Sequence, residues 1–404
     1  MVILISLILT VLAALVAIPV ILFCVEIMAA AASSRTSRPP RSHAASRAAI
    51  AVLVPAHNES QGLADTLEAI KAQLRPKDRL LVVADNCSDD TAAIAVAAGA
   101  SVTERNDTGK RGKGYALDWG LKHLRHDPPE VVVFIDADCR LASGALEELA
   151  NACSATGRPV QALYLMKAPE KSQIDYCVAE FAWCVKNRVR PLGLAALNLP
   201  CQLMGTGMAF PWEVINAANL ASGQIVEDLK LGLDLARAGH PALFWPSAVI
   251  TSSFPVSHIG AESQRKRWEK GHLNLIAVAG PGLLYEGLVR RNLGLLALTF
   301  DLVVPPLTLL GIIVASMLVV SGGGRLLGGS SLALPISALN FLGYLAAVLV
   351  CWLKWGRDVL PVRAIPSVAL YVAEKLPLYR QIISGQVGSH WIRTDRGKTE
   401  KNIG

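Results

Sequence analysis

The sequence has few charged and few aromatic residues for its length. Only 18% of its 404 residues are Asp, Glu, Lys or Arg, and 52% are hydrophobic. Soluble chains usually carry about a quarter charged residues, so this deficit predicts membrane segments. The net charge of +7 suits an anionic partner. Aromatic residues make up only 6%, which leaves few stacking surfaces for a nucleic acid. We therefore expect a membrane surface and no nucleic acid as a partner.

The eight cysteines form no CxxC pair and no Cys/His cluster with the spacing of a zinc site. We interpret them as reduced thiols that are buried as small apolar groups. Reduced thiols are typical of the cytosol. The main domain is therefore expected on the cytosolic side of a membrane.

An uncharged apolar run covers residues 2–25 and exceeds the roughly 20 residues that span a bilayer. A cleaved signal peptide is the alternative, because alanines at 29–32 offer a cleavage site, but no basic residues precede the run. Positive charges follow it instead, which places the N-terminus outside and the next domain in the cytoplasm. We predict a transmembrane anchor over 1–32 and a Ser/Pro/Arg linker over 33–48.

Two further apolar runs, 293–320 and 332–353, predict two more spans within 293–356. Asp301 and a Pro-Pro pair at 305–306 interrupt the first of them. Residues 276–292 are predicted to be an interfacial segment. Four charges lie within 359–383, so an interfacial helix and a cytoplasmic tail over 357–404 are favoured over a fourth span.

Strand-like and helix-like segments alternate after the linker. Apolar runs at 48–56, 79–85 and 131–138 are typical of buried parallel strands, and helical patterns lie between them. This alternation predicts an α/β fold with a doubly wound sheet, whose ligand site lies at the carboxyl ends of the strands. We assign this domain to residues 49–275.

Acidic residues follow two of these strands. Asp136 and Asp138 stand two residues apart after the third strand, and Mg²⁺ or Mn²⁺ takes one or two carboxylates together with substrate phosphate oxygens. The pair fits a metal–diphosphate site, and a simple strand-end turn is the alternative. Asp85 ends the second strand. It could bind a nucleobase or ribose, or belong to a turn that caps the next helix.

Three other segments carry candidate chemistry. A basic, glycine-rich loop leads into a helix at Lys113 and offers N–H groups and cations to phosphate, although its spacing is not that of a P-loop. The turn at 205–207 allows close backbone approach. Glu227 and Asp228 open a helical pattern. There they either stabilise the helix dipole or supply a general base.

Seven motifs together resemble the membrane-bound family 2 glycosyltransferases, the group of cellulose, hyaluronan and poly-N-acetylglucosamine synthases and ceramide glucosyltransferases. The resemblance covers residues 50–270. In order along the chain, the motifs are VPAHNE (54–59), VVADNCSDDT (82–91), KGYAL (113–117), FIDAD (134–138), GTGMAF (205–210), VED (226–228) and QRKRW (264–268). Departures from the family are His57, often tyrosine, and Val226, often threonine.

The resemblance implies a GT-A fold with a Rossmann-like mixed sheet, a nucleotide-diphosphate sugar donor (a UDP-sugar above others) and inversion at the anomeric carbon. Asp138, assisted by Asp136, would hold Mg²⁺ or Mn²⁺. Asp228 would be the catalytic base, with Glu227 beside it. The acceptor side would include Gly205, Thr206 and Trp268. The candidate donor-binding residues are Pro55, Glu59, Asp85, Lys113, Asp136, Gln264, Arg267 and Trp268.

The expected acceptor is a lipid-linked or polysaccharide molecule at the cytoplasmic face of a bacterial-type inner membrane, in exopolysaccharide or glycolipid synthesis. Three spans are few for a polymer channel, which favours single transfer to a lipid, or a processive synthase that needs a partner subunit or a homo-oligomer. A non-catalytic receptor for nucleotide sugars or polysaccharide is the alternative from another class. The intact Asp136, Asp138 and Asp228 argue against it.

Overall fold

The structure is a computed structural model that describes residues 2–33, 47–169, 176–223, 226–328 and 332–383. Its eight strands are β1 Ile50–Ala56, β2 Arg79–Asp85, β3 Ser101–Arg105, β4 Val131–Phe134, β5 Arg140–Leu141, β6 Val160–Lys167, β7 Met208–Pro211 and β8 Leu243–Ser253. The α-helices are α1 Val2–Ala32, α2 Leu63–Lys71, α3 Thr91–Ala97, α4 Lys113–Leu124, α5 Ala145–Thr156, α6 Cys177–Cys184, α7 Arg190–Ala196, α8 Trp212–Asn216, α9 Glu227–Arg237, α10 His258–Val289, α11 Leu293–Val303, α12 Leu307–Leu326, α13 Ala333–Cys351 and α14 Ser367–Ile383.

The described residues divide into two units. The sheet unit is drawn from Thr36–Tyr176 and Pro200–Gly271. The helical unit is drawn from Met1–Arg35, Cys177–Leu199 and His272–Ser384. The predicted domain boundaries stay predictions, and Cys177–Leu199 belongs to the helical unit although it lies inside the predicted 49–275 domain.

The sheet unit contains one eight-stranded sheet in the order β3-β2-β1-β4-β7-β6-β8-β5. Strands β3, β2, β1 and β4 are parallel, whereas β7 runs antiparallel to both β4 and β6. The doubly wound parallel sheet is therefore correct for the first half only. The mixed order as a whole is the one implied by a GT-A fold.

The parallel half brings its acidic strand ends to one edge. Residues 50–54 of β1 are completely buried, as expected for a central strand that is covered on both faces. Strand β2 ends at Asp85 as predicted. Strand β4 ends at Phe134, short of the predicted residue 138, because the chain turns where the Cys139 N–H donates to the Asp136 carbonyl at 3.2 Å. Asp85, Asp136 and Asp138 thus follow neighbouring parallel strands.

The helical unit contains three helices that are long and apolar enough to cross a membrane: Val2–Ala32, Leu307–Leu326 and Ala333–Gly356. Asn340 Nδ2 donates to the Ala13 carbonyl at 2.9 Å, and the Lys354 ammonium donates to the Ala31 carbonyl. Helices α1 and α13 therefore run in the same direction. Ser321 bonds to Ser337 at 2.9 Å, so α12 returns antiparallel to α13.

The number of candidate spans matches the prediction, but the second begins later than predicted. The run at 293–320 forms two helices, α11 and α12, because the proline pair at 305–306 lacks the N–H groups needed to continue α11. Helix α10 continues to Val289, through the predicted interfacial segment. Helix α14 lies in the segment predicted to be interfacial. Most of the predicted linker and the C-terminal tail lie outside the described residues.

The segment Cys177–Leu199 packs among the apolar helices through α6, a π-helical turn Val185–Val189 and α7. Val178 and Phe181 share a buried cluster with Phe23 of α1. Gly193 lies so close to α1 that an added Cβ would be 1.9 Å from the Glu26 carbonyl oxygen. Only glycine permits this approach.

A buried ion-pair cluster joins three helices of this unit. The Arg190 guanidinium donates to Glu26 and to Asp301, both at 2.5 Å. All three side chains are at most 9% exposed. We call this set the Arg190 cluster. Asp301 is therefore the ion-pair partner of an arginine that the sequence analysis did not single out.

Candidate active site

The turn that carries Asp136 and Asp138 is supported from both sides by buried threonines. The Thr206 hydroxyl accepts from the Asp136 N–H at 3.0 Å and lies 3.4 Å from the Cys139 thiol. The Thr66 hydroxyl of α2 donates to the Ala137 carbonyl at 2.9 Å. The sequence analysis missed Thr66. These bonds fix the backbone from which both carboxylates project.

The loop at 205–207 needs its glycines. Gly205 and Gly207 have φ values of +92° and +65°, which L-residues rarely adopt. A Cβ at Gly207 would lie only 2.8 Å from atoms of Ala162 and Ile250. Thr206 between them is 0% exposed. Its buried side chain therefore supports the turn that carries Asp136 and Asp138. The predicted contact with the acceptor at this position would be made by the backbone of the loop.

Lys113, at the start of α4, lies among three acidic groups from two segments, the turn after β4 and the start of α9. Its ammonium forms an ion pair with Asp136 and donates to the Gly205 carbonyl at 2.8 Å. A Cβ at Gly205 would lie 3.4 Å from Asp228 Oδ2 and 3.7 Å from Lys113 Nζ, so these groups meet at one point. We call Lys113, Asp136, Glu227 and Asp228 the carboxylate cluster.

The carboxylate cluster is partly open and shifts the pKa of its members. Lys113 and Asp136 keep side-chain exposures of 20% and 31%. Burial lowers the pKa of Lys113, but the carboxylates of Asp136, Glu227 and Asp228 outweigh it, so the pKa lies above its usual value. Burial first, and then the Asp228 carboxylate, raise the pKa of Glu227 from 4.5 to about 7. A pocket beside the cluster is lined by Lys113, Glu227, Asp228 and apolar side chains of α4 and α9.

Asp85 is held by an arginine that the sequence analysis did not identify. Arg105, at the end of β3, donates to Asp85 Oδ1 at 2.6 Å and to the Lys110 carbonyl at 2.7 Å. Asn86 Nδ2 donates to the same carboxylate oxygen at 3.0 Å. His57 Nδ1 lies 2.6 Å from the Asp85 carbonyl. The sequence offered one signal for Arg105. It is a basic residue at the end of the strand that follows the one ending at Asp85.

The other predicted donor residues of the β1 end lie beside Asp85. Pro55 pairs with Val83 of β2 in the parallel register. The Glu59 N–H donates to the Thr91 hydroxyl at 2.8 Å, which ties the loop after β1 to the start of α3. The structure thus brings Pro55, Glu59 and Asp85 to one end of the sheet.

Gln264, Arg267 and Trp268 lie on α10, and each is half-buried. Their spacing of three and four residues places them on one helical face. Their predicted contacts with the donor and acceptor stay predictions.

The residues present fit a divalent metal that is completed by substrate. Among the described residues, no group of three or more His, Cys, Asp or Glu side chains is arranged to hold a metal alone. Asp136 and Asp138 offer two carboxylates on one fixed turn. Mg²⁺ and Mn²⁺ sites of this kind draw their remaining oxygens from phosphates and water. The donor set therefore fits a metal that arrives with a diphosphate.

The mixed sheet with acidic residues at its edge agrees with the GT-A fold that the sequence motifs imply. A family model described as "Glycosyltransferase like family 2" matches residues 47–271, more than half of the chain. The chain therefore belongs to this family.

Curated relatives agree with the family assignment. Poly-beta-1,6-N-acetyl-D-glucosamine synthase of Staphylococcus aureus (strain COL) is 25% identical over 236 residues, which are 55% of this chain and 54% of the relative. A Bacillus subtilis (strain 168) protein described as "Probable glycosyltransferase YdaM" is 27% identical over 243 residues, 55% of each chain. The chain spans about half the length of the curated relatives that it matches.

The mannosyltransferase PcManGT from Pyrobaculum calidifontis, solved in complex with GDP-Man and Mn²⁺, is similar in fold. The alignment has a TM-score of 0.51 at 17% identity and covers 93% of this chain and 95% of that one. At this identity the likeness concerns the fold alone.

Proposed function

We propose that this protein transfers a sugar, with inversion, from a nucleotide-diphosphate donor to a lipid-linked or polysaccharide acceptor at the cytoplasmic face of a membrane. The observation that carries this proposal is the carboxylate cluster. Carboxylates that follow β4 and begin α9 meet one lysine at the Gly205 loop. Charge stabilisation for a leaving diphosphate and a base for an incoming hydroxyl are thereby available within one site.

Asp228 is the proposed general base. The acceptor oxygen attacks the anomeric carbon, the bond from that carbon to the diphosphate oxygen breaks, and the acceptor proton passes to Asp228. Glu227 beside it has a raised pKa of about 7, so the pair avoids carrying two full charges near neutral pH.

Lys113 and the Asp136–Asp138 turn form the proposed diphosphate side. The Lys113 ammonium is positioned to donate to phosphate oxygens and to offset their charge. Asp138, with Asp136, would hold Mg²⁺ or Mn²⁺, which when bound stabilises the charge on the leaving group. The fixed turn under these carboxylates, with Thr66 and Thr206 behind it, supports this assignment.

The proposed donor nucleoside site is the end of β1 and β2. Asp85 accepts from Arg105 and Asn86 through Oδ1, and its carboxylate is proposed to accept also from an N–H or hydroxyl of the nucleoside. Pro55 and Glu59 would shape that pocket. A UDP-sugar is the donor we expect first. Gln264, Arg267 and Trp268 are proposed to complete the donor and acceptor sides, Trp268 as a flat wall for a sugar ring.

The experiment is a transfer assay on the full chain in detergent or nanodiscs. A panel of UDP- and GDP-sugars is supplied with Mn²⁺ or Mg²⁺ and membrane lipids, and products are identified by mass spectrometry. Asp228→Asn is expected to lower transfer by about 10²–10⁴-fold, the usual contribution of a general base, while donor binding is retained.

The matched control is Asp234→Asn on the same helix, because Asp234 pairs with Lys230 and Arg237 near the surface. It is expected to leave transfer unchanged. Full activity of Asp228→Asn would refute its role as the base. Hydrolysis of the donor without transfer would refute the proposed function.

A processive synthase is the second candidate, because the chain matches the Staphylococcus aureus poly-beta-1,6-N-acetyl-D-glucosamine synthase over 236 residues. Product length in the same assay separates the two. Single-sugar products support the first candidate. A ladder of product lengths supports the second candidate, whether or not that synthase needs a partner subunit.

A further inference from the structure

We propose that Gln161 and Thr206 are positioning residues for the metal-binding turn, and that they act through the loop at 204–207. This inference rests on the proposed function, since it concerns how the proposed metal ligands are held. Gln161 and Thr206 are both 0% exposed.

Gln161 directs its side chain to this loop from the start of β6, where it is the second residue. Its Nε2 donates to the Thr206 carbonyl at 2.9 Å, and its Oε1 accepts from the Met204 N–H at 2.8 Å. A second bond from Nε2 reaches the carbonyl of its strand neighbour Ala162 at 2.9 Å. A buried amide costs free energy unless its bonds are made, so this geometry fixes the loop on both sides of Gly205.

The loop passes this constraint to the proposed catalytic groups. Thr206 uses its carbonyl for Gln161 and its hydroxyl for the Asp136 N–H. Gly205, between the two residues that Gln161 holds, accepts from Lys113 at 2.8 Å. A continuous chain of hydrogen bonds therefore runs from Gln161 through Thr206 to the backbone of Asp136.

This arrangement separates a positioning role from ordinary core packing. The neighbouring positions of β6, Val160 and Ala162, are also completely buried but apolar. The polar amide of Gln161 is not needed to fill this apolar core. Its two hydrogen bonds that leave β6 both end on the loop at 204–207. Residues behind metal ligands typically change metal affinity by about 10–100-fold when they are replaced.

The test measures Mn²⁺ binding apart from catalysis. The full chain is titrated with Mn²⁺ in the presence of UDP and, separately, GDP, and free Mn²⁺ is followed by electron paramagnetic resonance. Thr206→Val and Gln161→Met keep the side-chain volume and remove the bonds. Each is expected to weaken Mn²⁺ binding by about 10–100-fold. The two variants are made separately, so one that fails to fold leaves the other to decide.

Two controls accompany them. Thr206→Ser restores the hydroxyl and is expected to recover most of the Mn²⁺ affinity. Gln73→Met removes a glutamine that accepts from the Leu146 N–H at 3.3 Å elsewhere in the sheet unit, and it is expected to bind Mn²⁺ like the wild type. In the transfer assay, the Mn²⁺ concentration for half activity should rise in Thr206→Val while the acceptor KM stays constant.

Wild-type Mn²⁺ affinity in both Thr206→Val and Gln161→Met would overturn the inference. An equal loss in Gln73→Met, or no recovery in Thr206→Ser, would also overturn it, because the effect would then be one of general stability. Failure of the wild type to bind Mn²⁺ with either nucleotide would do the same. Intact Mn²⁺–nucleotide binding without sugar transfer by the wild type would instead count against the proposed function alone.

Discussion

The two units each contain a cluster of charges, and the clusters differ in how completely they are satisfied. In the Arg190 cluster, one guanidinium binds two carboxylates that are both nearly inaccessible. In the carboxylate cluster, one ammonium faces three carboxylates, and Lys113 and Asp136 remain partly exposed. The first is a closed structural contact between helices. The second has negative charge left over and open to a ligand.

This difference indicates where binding chemistry is available. Buried charges that no ligand can reach have a structural role, and removing one of them lowers the stability of the fold. Charges with an accessible excess of one sign act on ligands and have shifted pKa values. Variants of the two clusters should therefore change different measured quantities.

The largest expected effect is on catalysis in the sheet unit. Asp138→Ala should lower transfer by about 10³-fold, because charge stabilisation by a metal contributes several kcal/mol to the barrier. The rate should also lose its dependence on Mn²⁺ concentration, and the melting temperature should stay near that of the wild type. Asp118→Ala removes a carboxylate that pairs with Lys122 on α4 and serves as the control. An unchanged metal requirement in Asp138→Ala would contradict the metal assignment.

The next effect is on stability in the helical unit. Arg190→Leu leaves Glu26 and Asp301 without their shared cation, and breaking a buried pair in this way costs about 3–5 kcal/mol. The loss of stability is measured as a fall in the melting temperature in detergent, with unfolding monitored through a tryptophan signal. The triple variant Glu26→Gln/Arg190→Leu/Asp301→Asn removes all the charges and should recover much of the loss. If the triple variant is no more stable than Arg190→Leu, the loss does not come from the carboxylates left without their cation.

The smallest effect is a change in pH dependence. The raised pKa of Glu227 means that the folded protein holds a proton between pH 4.5 and about 7 that the unfolded chain has released. Stability from this group is therefore complete below about pH 4.5 and is lost as the pH rises through 7. Glu227→Gln should flatten the fall in melting temperature across this window. The exposed Glu104→Gln is the control, and equal slopes in wild type and Glu227→Gln would contradict the pKa shift.

Local patterns were sufficient to predict the elements around the donor site. The strand ending at Asp85 and the start of α4 at Lys113 have the predicted bounds, because buried parallel strands are continuous apolar runs and each is followed by a polar loop. The pair Asp136 and Asp138 was recognisable from the sequence because both carboxylates lie on one short turn, two residues apart.

Contacts between distant segments were not predictable in this way. Gln161 and Thr66 look like single polar residues in a strand and a helix, and only the fold shows that both reach the loop or turn near Asp136. Arg190 lies inside the predicted 49–275 domain. Its partners, Glu26 and Asp301, are more than 100 residues away on either side. The hydrophobic periodicity within one segment cannot indicate a pairing between such distant residues.

The excursion of Cys177–Leu199 into the helical unit has a practical consequence for dissecting the protein. The segment matched by the family model, 47–271, could be taken for a fragment that folds alone. It contains, however, the helical segment 177–199, whose apolar partners, such as Phe23, belong to the rest of the chain. Expressed alone, that fragment would present Val178 and Phe181 to water and aggregate. A fragment in which a short polar linker replaces 177–199 is the one we expect to remain in solution.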